Sequence, residues 1–236
     1  MKIRAFTLAE TLITLGIIGI VAAMTMPVLI GNYKKNVLKN QFKKAYNTLQ
    51  NAYQQAEVQL GYHPLCYYED NPSSNNPYNR STDCRAFSKE LSKVLQVIKI
   101  CNGNGVQDGC IPPYKGIDTI YKNKHEDVDD DTLNEMFRGA PGWKENSIQT
   151  QNPIWVLSDG TIIIWYVNTS TGGSNTAIAS QLLAVDINGI KGPNKWGYDV
   201  FAFIVKSSPT QPLLLKNYNL FMIEDGGMTV NEMLQN

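Results

Sequence analysis

Residues 6–30 read FTLAETLITLGIIGIVAAMTMPVLI, and this stretch decides how the rest of the chain is organised. A helix of these 25 residues is about 37 Å long, which exceeds the roughly 30 Å of hydrocarbon in a bilayer. A secretory signal peptide would have a shorter apolar region that ends at a small-x-small cleavage site. Here Ala22 and Ala23 offer such a site, but further apolar residues follow them. The stretch therefore predicts a helix that spans a membrane.

This apolar stretch contains one charged residue, Glu10. A carboxylate inside a membrane helix is costly, and it faces protein or water rather than lipid. A signal peptide has no use for such an acid, and a plain anchor helix would turn it toward protein or water. Glu10 therefore predicts a polar partner for the start of the helix.

Residues 2–15, KIRAFTLAETLITL, resemble the class III leader of type IV prepilins and type II secretion pseudopilins. In that family a membrane peptidase cuts just before the Phe-Thr-Leu-x-Glu block and methylates the new N-terminus. The resemblance implies cleavage between Ala5 and Phe6, methylation of Phe6, and an assembly role for Glu10 as the fifth residue of the mature chain. The residue before the cut is usually glycine in the family, whereas this chain has alanine.

The resemblance gives Glu10 a physical role in a fibre. The N-terminal helices of the subunits would pack in an apolar bundle, where a lone carboxylate costs several kcal/mol unless it is paired. Cleavage creates an amine at Phe6. We expect Glu10 of one subunit to pair with the Phe6 amine of its neighbour, because the two charges then fix the register between subunits. Pairing within one subunit, across one helical turn, is the alternative.

Beyond residue 30 the helical pattern continues in amphipathic form. Pro27 stands where many pilins carry a helix-kinking proline, and together with Gly31 it predicts a bend or a locally melted turn. Gly61 and Pro64 predict the end of the helix. The apolar residues that recur at steps of three and four are Leu38, Phe42, Ala45, Tyr46, Leu49, Ala52, Tyr53, Ala56 and Leu60. We therefore expect one segmented helix from Phe6 to Leu60, whose second half covers a globular head.

The head is predicted to begin with helices and loops. Tyr67 to Thr82 reads as a surface loop. Asp83 is expected to cap a helix that runs to about Ile100, and Asp131 to cap a short helix over Thr132 to Arg138. The acidic run at 125–131 is interpreted as a solvated segment.

From Ile154 onward the apolar pattern changes to that of strands. IWVLSDGTIIIWYV predicts a hairpin that turns at Asp159 and Gly160. Further strands are predicted at 182–187 and 200–206, with one or two more within 213–223. These patterns predict the α+β fold class. The pilin resemblance implies its arrangement: a long N-terminal helix, with a transmembrane half and an amphipathic half, packed on an antiparallel sheet.

Together with the resemblance, these patterns imply four segments: a leader at 1–5, a transmembrane or fibre-core helix at 6–30, the amphipathic half of the helix at 31–61, and an extracytoplasmic head at 62–236. The resemblance implies a single-pass protein of the bacterial inner membrane. Five lysines follow the apolar stretch, and by the positive-inside rule they favour the opposite orientation. They are Lys34, Lys35, Lys39, Lys43 and Lys44. The cysteines and the leader motif both require an exported head, and we adopt that orientation.

Four cysteines lie in the predicted head, at Cys66, Cys84, Cys101 and Cys110. An even number in an exported segment indicates two disulfides, with three possible connectivities. We favour Cys66–Cys84 and Cys101–Cys110, because each pair brackets a loop rich in Asn, Gly and Pro. A zinc site is disfavoured, since the chain has no C-x-x-C pair and its two histidines are isolated.

The segment VDINGIKGPNKWGYDVFAF, residues 185–203, resembles a loop of many pseudopilin-like sequences and, superficially, a calcium loop. Asp186, Asn188 and the Ile190 carbonyl have the 1, 3, 5 spacing that brings oxygens onto one cation, and Asn194 and Asp199 are expected to complete the shell. No bidentate Glu occupies the twelfth position. The alternative is that these side chains form Asx turns and bind backbone amides.

No catalytic motif of the nucleophile-elbow, zinc-protease or phosphate-loop type occurs in the chain, so an enzyme is not expected. A formal net charge of zero argues against nucleic-acid binding. The resemblance implies a structural subunit, a minor pilin or pseudopilin, of a type IV pilus or type II secretion-like fibre. Its partners would be other subunits, prepilin peptidase, the inner-membrane assembly platform and the membrane. The alternative is a membrane-tethered, exported ligand-binding module that does not polymerise.

Overall fold

The computed structural model describes residues 7–64, 81–166, 182–208, 211–218 and 223–235, with the backbone alone at 81–84, 207, 208 and 211. The predicted cleavage site at Ala5 and Phe6 lies outside the described residues, as does the predicted Cys66–Cys84 bridge. The chain divides into two compact units, residues 1–40 and residues 41–236.

A single helix, α1, covers Leu8–Leu60. It contains Pro27 and is continuous there, so the alternative of a locally melted turn near Pro27 and Gly31 is wrong. The other alternative, a bend at Pro27, stays a prediction. An internal proline removes one hydrogen bond, and a long helix keeps its other backbone bonds on either side of it. The helix ends as predicted at Gly61, which has φ +79° and donates its N–H to the carbonyl of Glu57.

The second unit contains a six-stranded antiparallel sheet whose strands lie side by side in chain order. Its strands are β1 Val97–Asn102, β2 Pro153–Leu157, β3 Ile162–Trp165, β4 Leu182–Asp186, β5 Val200–Ser208 and β6 Gln211–Asn217. The predicted hairpin at Asp159 and Gly160 is confirmed, since β2 and β3 pair on either side of it. The α+β fold class is likewise confirmed.

The first helix of the head is shorter than predicted. Helix α2 covers Ser81–Val94, so Asp83 lies within it and does not precede it. Gln96 has φ +52°, which ends the helical path, and Val97–Asn102 forms strand β1. The prediction that the helix runs to Ile100 is therefore wrong, because the β-branched residues of this segment pair with β2.

The remaining described α-helices are short, and three of them were not predicted. They are α3 Ile117–Lys124, α4 Asp130–Met136, α5 Glu145–Thr150 and α6 Val230–Leu234. Helix α4 confirms the short helix in this region, but its cap is Asp129, which accepts a hydrogen bond from the Thr132 N–H at 2.7 Å. The expected cap at Asp131 is wrong, since the helix begins earlier than the apolar pattern indicated.

Within residues 41–236 both faces of the sheet are covered. One face packs against α2 and the part of α1 from Phe42 onward, where the rings of Phe42 and Phe201 lie 4.6 Å apart. The other face packs against the segment between β1 and β2, which contributes buried Tyr114 and Trp143. Alternate residues of a strand point to opposite faces, so Trp155 belongs to the first cluster and Ile154 to the second.

Helix α1 also closes one edge of the sheet. The Gln50 side chain donates to the Leu213 carbonyl at 2.7 Å and accepts from the Leu215 N–H at 2.8 Å. The Tyr46 hydroxyl donates to the Leu215 carbonyl at 2.9 Å. Side chains of the helix thus satisfy backbone groups of β6 that a neighbouring strand would otherwise bind.

Candidate functional site

The first candidate site is the start of α1, where Glu10 caps its own helix. The Thr7 N–H and the Thr7 hydroxyl both donate to Glu10 Oε2 at 2.8 Å, and the Glu10 N–H donates back to Thr7 Oγ1 at 3.3 Å. These reciprocal bonds form a capping box. Thr229 and Glu232 form the same arrangement at the start of α6, with the corresponding bonds at 2.7, 2.8 and 3.2 Å.

Sequence reasoning missed this cap, although its signal is present. Residues 7–10 read TLAE, which is the S/T-x-x-E pattern before an apolar run. The cap differs from both arrangements expected for Glu10, the amine of a neighbouring subunit and the amine of its own. It uses Oε2 alone, and Oε1 accepts no hydrogen bond from any described residue.

The rest of the apolar stretch presents its side chains outward. Leu12, Ile18, Met24 and Leu29 are between 62% and 72% exposed. The hydroxyl of Thr14 donates to the carbonyl of Glu10 at 3.0 Å, so the helix itself satisfies this polar group. Among the described residues, α1 is the one helix with the length and apolar composition to cross a membrane.

The second candidate site is the segment between β4 and β5 in the head, where Asp186 is fully buried. Its Oδ1 accepts from the N–H groups of Asn188 at 3.1 Å and Gly189 at 2.8 Å. Its Oδ2 accepts from the Tyr114 hydroxyl at 2.6 Å. The carboxylate thus holds the turn after β4 and ties it to the segment that covers this face of the sheet.

Asp199 is the second fully buried carboxylate of this segment. Its Oδ2 accepts from the Asn194 N–H and its Oδ1 from the Lys195 N–H, both at 2.8 Å. The Asn188 side chain donates to the Gly192 carbonyl at 2.8 Å. These are the backbone contacts that the Asx-turn alternative expects.

Burial dominates the electrostatics of this pair. It raises the pKa of Asp186 to about 7, an effect opposed by the Tyr114 hydrogen bond and reinforced by the charge of Asp199. It also raises the pKa of Asp199. Burial, followed by the charge on Asp186, raises the pKa of the Tyr114 hydroxyl, which therefore remains a donor at physiological pH. Among the ion pairs of the described residues, none involves either aspartate.

A cation at this segment would have four side-chain oxygen donors from the predicted set. Asn188 and Asn194 each keep a buried Oδ1 without a hydrogen-bond partner, which are the atoms a calcium ion would need beside the two carboxylates. Asp186 and Asp199 already bind backbone amides, and the described part of the chain holds no group of three acidic, His or Cys side chains that could bind a metal. The side chain of Ile190 is exposed, as a residue contributing only its carbonyl would be. The calcium site remains a prediction.

The predicted Cys101–Cys110 disulfide is confirmed. It joins the end of β1 to the loop that precedes Tyr114, so it anchors the segment that reaches Asp186.

Comparison with known proteins does not identify the chain: no family model matches it, and no curated protein or solved structure is significantly similar to it.

Proposed function

We propose that this chain is a structural subunit, a minor pilin or pseudopilin, of a type IV pilus or a type II secretion-like fibre. Prepilin peptidase removes residues 1–5 and methylates Phe6. The subunit is held in the bacterial inner membrane with its head outside the cytoplasm, and the assembly platform then moves it into the fibre. One observation carries the proposal: an outward-facing apolar helix surface has a single charge, Glu10, which is the fifth residue after the expected cleavage point.

The exposed apolar surface of residues 8–30 requires a cover. An apolar area of this extent is unfavourable in water, and either lipid or the same helices of other subunits remove it from solvent. Both covers are apolar, so a subunit exchanges one for the other at little cost. The charge of Glu10 on this surface then distinguishes one position of the helix, relative to its neighbours in the bundle, from all the others.

The capping geometry is compatible with an assembly role for Glu10. Since Oε2 alone serves the cap, Oε1 is open to a second donor. A carboxylate has about four lone-pair sites, so it can cap its own helix and accept from the Phe6 amine of a neighbour at the same time. The capped side chain is held in one rotamer, which lowers the entropy lost when the neighbour binds.

The cap also gives a sharp test, because glutamine preserves it and alanine does not. Glu10→Gln retains a side-chain oxygen for the Thr7 donors but has no charge to compensate an amine. We expect both Glu10→Gln and Glu10→Ala to be processed normally in cells that contain the maturation enzyme. Both should lower the amount of subunit in sheared fibres at least tenfold, since an uncompensated amine in the apolar bundle costs several kcal/mol.

Glu232→Gln and Glu232→Ala provide matched controls, because they alter a capping box of the same geometry in the head. They should leave fibre entry unchanged. If Glu10→Gln assembles like the unmodified protein, the cap is the role of Glu10 and the assembly role is refuted. If no fibre contains the protein and neither Glu10 variant affects the activity of the head, the chain is a tethered ligand-binding module.

Intact mass of the membrane-extracted protein tests the processing step separately. The expected product lacks Met1 to Ala5, carries one added methyl group, and has lost four hydrogens to two disulfides. A product that keeps its first five residues in cells with the peptidase would refute the fibre proposal, because the Phe6 amine would not exist.

A further inference from the structure

The part of α1 that follows the apolar stretch carries a concentrated positive charge. Lys34, Lys35 and Lys39, here named the lysine cluster, lie on this helix within the first compact unit. Lys34 and Lys35 are exposed, and Lys39 is partly exposed. At about 100° per residue the three side chains leave the helix within an arc of about 140°. They therefore form one basic face.

This basic face has no acidic partner near it in the chain. Between Glu10 and Glu57 the sequence contains no Asp or Glu. The ion pairs of the described residues do not include any member of the lysine cluster. Three neighbouring like charges without a compensating acid repel one another, so the cluster favours an external anion.

The distance of the cluster from the apolar stretch matches the headgroup layer of a bilayer. With a rise of 1.5 Å per residue, Lys34 and Lys35 lie about 6 and 8 Å beyond Ile30 along the helix axis. The polar layer on each side of the hydrocarbon is about 5–8 Å thick. Tyr33 is 70% exposed at the same level, and tyrosine and lysine are both residues of membrane interfaces. Lys39 lies farther out, within reach of the surface through its long side chain.

We propose that Lys34, Lys35 and Lys39 bind the headgroups of anionic phospholipids. The proposal rests on one part of the proposed function, the insertion of residues 6–30 in a bilayer, and does not require a fibre. Each lysine near an anionic surface strengthens lipid association roughly fivefold. In the membrane the cluster holds the helix at a fixed depth, and a subunit that leaves the bilayer for a fibre must release these lipids first.

Native mass spectrometry of the full chain tests the proposal. The protein is released from mixed micelles that contain equal amounts of phosphatidylglycerol and phosphatidylcholine, and the retained lipids are counted. We expect the unmodified protein to retain phosphatidylglycerol preferentially. The triple variant Lys34→Gln/Lys35→Gln/Lys39→Gln should lose this preference by at least fivefold, the effect of one lysine. Raising the ionic strength before release should weaken the preference in the unmodified protein.

The matched control is Lys89→Gln/Lys191→Gln/Lys216→Gln, which removes the same charge from three exposed lysines of the head. It should retain the preference for phosphatidylglycerol. The proposal is overturned if the unmodified protein shows no preference, or if the cluster variant keeps it. A cluster variant with unchanged lipid binding but weaker cross-linking between copies would assign the lysines to a protein contact instead. If the unmodified protein retains phosphatidylglycerol preferentially but enters no fibre, the proposed function is refuted and this inference stands.

Discussion

Replacing Asp186 with asparagine should stabilise the head at alkaline pH. Asparagine has the same shape, its Oδ1 can accept from the Asn188 and Gly189 N–H groups, and its amide can donate to the Tyr114 hydroxyl oxygen. The substitution therefore keeps the backbone contacts of Asp186 and removes its charge, while the hydrogen bond to Tyr114 reverses its direction. Because Asp186 is buried, that charge is unfavourable in the folded state.

The size and pH range of the effect follow from the pKa of Asp186. Burial raises this pKa from 3.8 to about 7, so between these values the folded protein keeps a proton that the unfolded chain has lost. Stability then falls as the pH rises from about 4 to about 7 and is constant above that range. At about 1.4 kcal/mol per pKa unit the upper limit is about 4 kcal/mol. Relaxation around the charge lowers this limit, and we expect about 2 kcal/mol.

The assay is thermal unfolding of the full chain in detergent with a chelator, followed by tryptophan fluorescence from pH 4 to 8.5. Asp186→Asn and the unmodified protein should have similar Tm values at pH 4. At pH 8 the Tm of the variant should be higher than that of the unmodified protein by about 4–8 °C, which corresponds to about 2 kcal/mol for a chain of this size. The control Asp127→Asn replaces an exposed aspartate and should leave the Tm unchanged at both pH 4 and pH 8. An Asp186→Asn protein that melts below the unmodified protein at pH 8 would refute the reasoning.

Added calcium tests the predicted cation site in the same assay. If the open oxygens of Asn188 and Asn194 complete a shell with the two carboxylates, excess calcium stabilises the unmodified protein at pH 8. At a concentration one hundred times Kd the gain is about 2.7 kcal/mol. Asp186→Asn should respond much less, since it lacks one charged ligand. If millimolar calcium does not raise the Tm of the unmodified protein, the calcium site is refuted and the Asx turns are the only role left for these side chains.

Three further substitutions test the packing of the head in the same melting assay. Gln50→Ala should lower stability by about 1–3 kcal/mol, because it leaves backbone groups of β6 without partners, whereas Gln54→Ala at an exposed position of α1 should have little effect. Gly189→Ala should cost about 2 kcal/mol or more, since Gly189 has φ +64° and an added Cβ would collide with the Gly160 carbonyl oxygen. Cys101→Ser/Cys110→Ser should cost about 3 kcal/mol through the lost loop constraint, and a melt unaffected by this change would contradict the bridge.

Much of the fold could be predicted because its signals are local. The apolar periodicity of α1, the glycine at its end, and the Asp-Gly turn between β2 and β3 all depend on residues a few positions apart. The same holds for the disulfide, whose cysteines are nine positions apart. The cap at Thr7 and Glu10 is also encoded locally, by the T-x-x-E pattern at residues 7–10.

The sequence by itself determined the long helix, the strands after Ile154 and the single charge on the apolar surface. Tertiary structure alone decided that Val97–Asn102 is a strand, since its pairing partners lie more than 50 residues away in β2. It also decided that Gln50 closes the edge of β6, about 165 positions along the chain, and that Tyr114 binds Asp186, 72 positions away. The physical reason is that backbone propensity and apolar period act within a few residues. The partner of a buried polar group is instead set by which distant segments pack together and exclude water.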